Sequence, residues 1–167
     1  MPLTGTQGSL SSGGFGHLHR TGGLFPFTTF TFTSTGLYGP YGPTLSQIQS
    51  SYSSGPSWTQ NTNFLSIHSS WQGYQQWVVP ATGSYRITCA SPANNAANAG
   101  TIQGGNGLYA TGTISFTQGN ILLICVGQPT NTRGPYGYGG AGGTFVVQTL
   151  ALNNTLNTST CTPIVIM

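Results

Sequence analysis

Apolar residues recur mainly at every second position in this chain, in short runs set apart by clusters of Gly, Pro, Asn and Ser. That period marks a strand with one covered face. In residues 25–35 it places Phe30 and Phe32 on one face, with Thr31 and Thr33 on the other. In residues 84–90 it sets Tyr85, Ile87 and Cys89 against Arg86 and Thr88. Residues 64–67, 73–79, 108–116, 144–150 and 163–167 read as further strands. Residues 121–126, apolar throughout, read as a central strand buried on both faces. The period changes once. Leu45, Ile48 and Tyr52 fall at helical spacing behind Thr44, a residue suited to capping, so one short helix is predicted there. Turn signals at residues 36–43, 80–83 and 118–120, and polar loops at 91–107 and 130–143, separate the elements. The pattern predicts an all-β chain: a β-sandwich of jelly-roll type with one short helix.

Residues 1–24 fall outside this pattern. They are mostly Gly, Ser, Thr and Gln, with too little apolar area to fold on themselves. They are predicted to form an extended arm ahead of the sandwich domain at residues 25–167. Its apolar side chains, Leu3, Leu10, Phe15 and Leu18, are expected to hold the arm against a neighbouring copy or a partner surface.

Charge narrows the function classes sharply. The 167 residues include Arg20, Arg86 and Arg133, no Lys, and neither Asp nor Glu, so 2% of the chain is charged against about 25% in an ordinary soluble domain. Without carboxylates there is no acid/base pair for glycoside hydrolysis, no Asp behind a catalytic His and no acidic Ca²⁺ or Mg²⁺ cage. Three dispersed Arg are too few to cover a polyphosphate backbone, so nucleic-acid binding is not expected. Neutral polarity takes the place of charge: 25 Thr, 17 Ser, 11 Asn, 11 Gln and 26 Gly make up 90 of the 167 residues. A surface of this kind lacks the repulsion that keeps monomers apart, and it points to self-association. The longest aliphatic run, residues 121–126, is far shorter than the roughly 18 residues needed to span a bilayer. The first residues show no signal-peptide pattern, so neither membrane insertion nor an encoded leader is expected.

The residues that could carry chemistry are few. Cys89, Cys125 and Cys161 are widely spaced; reduced, buried thiols are the expectation, with a single bridge as the alternative. His17 and His19 could share a metal with His68, but no third ligand type accompanies them, so no metal and no cofactor are assigned. Residues 104–107 lack the Lys and the strand-to-helix setting of a phosphate loop. Asn153 and Asn157 open glycosylation patterns that matter only if the chain is secreted. Trp58, Trp71 and Trp77 read as core or subunit contacts. The candidate binding loop is residues 132–138, where Tyr136 and Tyr138 offer flat neutral faces and Arg133 a planar donor fork. The same residues could equally pack the loop onto its own sheets. No catalytic residue is assigned.

Residues 77–87 with Trp77, Pro80, Gly83 and Tyr85, then Gly105 and Gly107, the run 117–128, and the stretch from Gly139 to Val146 follow one another in a distinctive order. Together with residues 39–44 and 58–62 upstream, they resemble a glycine-rich module. That module occurs in phage tail-fibre-like and large-virus structural proteins and in some receptor tyrosine kinase ectodomains. The resemblance spans roughly residues 30–147. It implies a sandwich like tumour necrosis factor, a structural or binding role, and no enzymatic residues. The poly-Gly insert is reduced here to residues 139–143, which favours a minimal building block over a receptor. The expected function is that of a virion structural protein, a capsid-associated or fibre-type subunit. Its partners would be copies of itself or other virion proteins. A cellular extracellular filament subunit and a knob that binds host glycans are the alternatives.

Overall fold

The computed structural model describes residues 29–37, 41–92, 107–129, 133–134, 137–138, 142–155, 157 and 159–167. In chain order they form α1 (Leu45–Ser51), a 3₁₀ turn (Ser57–Gln60), β1 (Leu65–Ile67), β2 (Tyr74–Val78), β3 (Gly83–Ala90), β4 (Tyr109–Phe116), β5 (Ile121–Cys125), β6 (Arg133–Gly134), β7 (Gly137–Tyr138), β8 (Phe145–Thr149) and β9 (Cys161–Ile166). The described residues are mostly β-strand, with these two helical turns. Every strand pair is antiparallel. One sheet runs β1-β2-β5-β8-β9, β3 and β4 form a separate hairpin, and β6 with β7 a third, very short ladder. The expected arm, residues 1–24, lies outside the described residues.

The helix forms where the spacing placed it, and for the expected reason. Thr44 stands at its N-cap in extended conformation, its hydroxyl accepting from Gln47 N–H while the Gln47 side chain accepts from Thr44 N–H at 2.8 Å. This reciprocal pair satisfies two backbone donors that the first turn would otherwise leave open. The helix turns Ile48 wholly into the core.

Strand β5, apolar at every position, is third of five in its sheet, with Leu122, Leu123 and Ile124 all buried. Its register sets Leu122 beside Trp77 and Ile124 beside Gln75 of β2. On the other flank Val146 of β8 lies beside Ile124. The hairpin turns Tyr85, Ile87 and Cys89 inward and leaves Ser84, Arg86, Thr88 and Ala90 exposed, as the alternation predicts. Cys89 and Phe116 of the hairpin join Trp77, Leu122, Ile48 and Trp58 in one buried cluster.

Residues 29–37 depart from the expected strand. Phe30 and Phe32 do point into the cluster: Phe30 packs edge-on to Trp58 at 4.7 Å and to Tyr52 at 5.1 Å, and Phe32 meets Trp77 at 5.9 Å. The backbone beside them pairs with side chains instead of a neighbouring strand. Thr33 N–H donates to the Tyr52 hydroxyl at 2.7 Å, and Thr33 C=O accepts from Gln75 Nε2 at 2.8 Å. Tyr52 closes the triangle by donating to Gln75 Oε1 at 3.0 Å. Segment 130–143, expected to be a loop, contains the short β6–β7 ladder.

Gly73 has φ +92°, and a Cβ there would come within 2.6 Å of the Gly42 backbone, so two chain segments touch where no side chain fits.

Replacing Tyr52 by Phe would keep the ring packing but leave Thr33 N–H and Gln75 Oε1 without their shared partner. Stability should fall by about 1–3 kcal/mol in urea unfolding, with the far-UV spectrum unchanged. A loss below about 0.5 kcal/mol, half the usual value of one hydrogen bond, would show that the triangle contributes little.

Candidate interaction surfaces

With no carboxylate in the chain, any function of this fold must use neutral surfaces, backbone groups, thiols, imidazoles or the three Arg. The structure presents four places of that kind.

The first is the outer face of the five-stranded sheet. Cross-strand register lines up Tyr74, Cys125, Phe145 and Ile166 in one row and sets Leu123 beside Val147 in the next. These six side chains line an open groove that is almost wholly apolar. Ile166 at its edge is 64% exposed. An antiparallel sheet with one face on the core ordinarily turns polar residues outward. Here the part of the outer face around β5 and β8 is apolar, because strand β5 has no polar position to offer, while Gln76 and Ser66 continue the row on β2 and β1.

The second is the exposed face of the hairpin, built from Ser84, Arg86 and Thr88 of β3 and Tyr109, Thr111, Thr113 and Ser115 of β4. Thr88 and Thr111 face each other and share a hydroxyl hydrogen bond of 3.0 Å. Arg86, opposite Thr113, carries the only charge on the two strands.

The third surrounds His68. Its Nδ1 accepts from Ser70 N–H at 3.1 Å, which places the ring proton on Nε2, where it donates to Asn154 C=O at 3.1 Å. The ring stacks on Trp71 at 4.1 Å. Beside it, Asn153 N–H donates to Gln76 Oε1 at 2.7 Å, and Asn153 Oδ1 accepts from Ser69 N–H at 2.7 Å and from Gln76 Nε2 at 3.2 Å. Both imidazole nitrogens are thus engaged in fastening residues 153–154 to the β1–β2 turn, and neither is left to ligate a metal. His17 and His19 lie outside the described residues; among the described residues no cluster of three potential ligands occurs. The Asn153 pattern for glycosylation falls on a side chain whose amide oxygen is already bound twice.

The fourth is the loop singled out from the sequence. Arg133 and Tyr138 pair across the β6–β7 ladder. Tyr136 and the side chains of Arg133 and Tyr138 lie outside the described residues, as do Leu3, Leu10, Phe15 and Leu18 of the arm.

The three cysteines are free thiols. Cys89 is buried, while Cys125 and Cys161 are half-buried. Burial pushes the Cys89 and Cys125 thiols above their ordinary value of 9.0. It does the same to the Tyr74 phenol in the groove, where Cys125 adds to the effect, and to the Tyr85 phenol. Of the three Trp, Trp58 and Trp77 are core residues, whereas Trp71 is half-buried against His68. Among the described residues no helix is long and apolar enough to cross a membrane. No protein-family model matches the chain.

The groove and the hairpin face were missed in the sequence reading. The groove's signal was present, since an all-apolar β5 must show side chains on both faces of its sheet.

The raised thiols and phenols have a consequence of fixed sign. The unfolded chain releases these protons first, so it binds fewer protons than the folded one once pH passes the ordinary thiol value of 9.0. Stability should hold below that value and fall above it. Urea midpoints measured from pH 7 to 10.5 should decline over the upper part of the range. A midpoint that rises or stays level there would contradict the assignment.

Proposed function

We propose that this chain is a structural subunit that works by self-association, of the capsid-associated or fibre type found in virions. In this reading the sheet and hairpin are the two layers of a jelly-roll sandwich like that of tumour necrosis factor. Its partners are further copies of the chain and other virion structural proteins. One observation carries the proposal: the groove of Tyr74, Leu123, Cys125, Phe145, Val147 and Ile166 lies open on a protein with almost no charge. An apolar patch on a monomer marks a contact surface, and the usual electrostatic barrier to contact is missing here. The resemblance of residues 30–147 to modules of phage and large-virus structural proteins supports the same reading. A surface of hydroxyls, amides and backbone groups gives such a subunit directional contacts without ion pairs.

Association driven by apolar burial and neutral hydrogen bonds has no Coulombic attraction to screen. Oligomers seen by light scattering in dilute buffer should persist in about 1 M NaCl, where the screening length is about 3 Å. Dissociation by about 0.5 M NaCl, or a chain monomeric at every concentration, would refute the proposal.

A further inference from the structure

Sheet edges are where neutral β proteins join, and natural folds blunt the edges they do not use. Among the described strands five edges carry such a device. β1 has only three residues. β9 contains Pro163, and its pairing with β8 is irregular between Val146 and Val147. The free edge of β3 carries Arg86, and its Ala90 C=O already accepts from Thr144 Oγ1 at 2.9 Å. The β6–β7 ladder has strands of two residues each. β4 has none of these. It is eight residues long, uncharged, free of Pro, and paired with β3 without a break in register.

The backbone groups on its free side can be identified. Ser91 N–H donates to Leu108 C=O at 3.0 Å, one step beyond the Ala90–Tyr109 pair. Hydrogen-bonded and non-bonded pairs alternate along an antiparallel ladder, so Ala110, Gly112, Ile114 and Phe116 bond to β3. The N–H and C=O groups of Tyr109, Thr111, Thr113 and Ser115 therefore point away from the hairpin. Ala90 C=O, outward by the same alternation, is the one that reaches Thr144. Among the described residues the four outward pairs on β4 have no backbone partner. At the start of the strand Leu108 and Tyr109 are 72% and 79% exposed.

We infer that the β4 edge pairs antiparallel with the β4 edge of a second copy, about a two-fold axis at Gly112. This rests on the self-association reading and supplies its geometry. Gly112 is flanked by Thr111 and Thr113, so the residues next to such an axis are alike. The axis sets Thr111 opposite Thr113 of the second copy and Tyr109 opposite Ser115 of the second copy. All four outward residues are then hydrogen-bonded on both copies. The two Gly112 fall at a non-bonded pair, where Cα atoms approach to about 4.5 Å. An identical partner fits this edge because it is uncharged: near the axis each residue approaches its own copy, and the two would repel if charged. The two hairpins become one four-stranded sheet, β3-β4-β4-β3.

The test uses full-length chains. Thr113 N–H makes no bond within the hairpin, so Thr113→Pro removes only the outward donor. Ser84→Pro does the same on the β3 edge and is the control. In analytical ultracentrifugation Thr113→Pro should need about tenfold or more protein to associate, a loss of order 1.4 kcal/mol, while Ser84→Pro behaves as wild type. A Cβ at Gly112 meets nothing within 4 Å, so Gly112→Cys is tolerated by the subunit. It should oxidise to a dimer linked through position 112, identified by peptide mapping, whereas Thr113→Cys should not link to itself. If circular dichroism shows that Thr113→Pro has lost its β signal, Thr113→Lys carries the same arm, since it brings like charges together across the axis. Wild-type association in the Thr113 variants, or no disulfide through position 112, overturns this contact and leaves self-association standing. A wild-type chain that stays monomeric overturns both.

Discussion

Trp77 is the side chain on which the rest of the fold depends. It sits on β2, next to the central strand, and touches three parts of the chain that no backbone ladder joins to that strand. Its ring lies 5.9 Å from Phe32, 6.2 Å from Trp58 and 5.8 Å from Tyr85. The N-terminal segment, the helical elbow and the hairpin are thereby fastened to one residue of the sheet. Ladders bind neighbouring strands, but they cannot hold a hairpin or a helix onto a sheet face. Aromatic rings can, because each buries a large area and its edge-to-face contacts have a preferred geometry. The groove and the β4 edge inherit their positions from this arrangement: the hairpin turns its apolar face to Trp77 and therefore its hydroxyl face to solvent.

Around that centre the two buried glutamines are satisfied by neutral partners. The Tyr52–Gln75–Thr33 triangle places a fully buried glutamine inside an aromatic cluster and gives its amide two partners. The Asn153–Gln76–Ser69 set does the same for a second buried glutamine and fixes the β8–β9 connection. Such bonds contribute modestly when made, about 0.5–1.5 kcal/mol each, and cost more when one partner is removed. They are short-ranged and directional, so they specify one arrangement without extending any field beyond the molecule. A chain built this way has a defined interior and a sparsely charged exterior.

Much of this was legible from residue order. Alternation placed the strands and told the inward face of β3 from its outward face, because period two is a local property. Thr44, ahead of Leu45, Ile48 and Tyr52 at helical spacing, marked the helix start for the same reason. The segment around Phe30 and Phe32 alternates equally well, yet forms no strand in its described part, because its backbone partners are the side chains of Tyr52 and Gln75. A local pattern cannot announce a partner that is 19 or 42 residues away. The interaction surfaces were hidden by a related limit. Whether a strand is central or at an edge depends on pairing order, and β4 reads no differently from an interior strand until β3 is seen to be its only neighbour among the described residues.

That limit also explains how a protein without lysine protects its edges. The usual device, a charge on an edge strand, is available here at Arg86 of β3 and at Arg133 of β6. The remaining edges rely on geometry: shortness in β1, a proline and an irregular register in β9. Geometric devices work by removing pairing groups, so they leave an edge inert toward every partner. Charge is selective, since it repels its own kind and admits the opposite sign. A strand with neither device accepts any strand of matching pattern. In a solution of identical chains the partner most often met is the same edge, and in the proposed pairing a two-fold axis at Gly112 would let that partner satisfy the outward groups of Tyr109, Thr111, Thr113 and Ser115 at once.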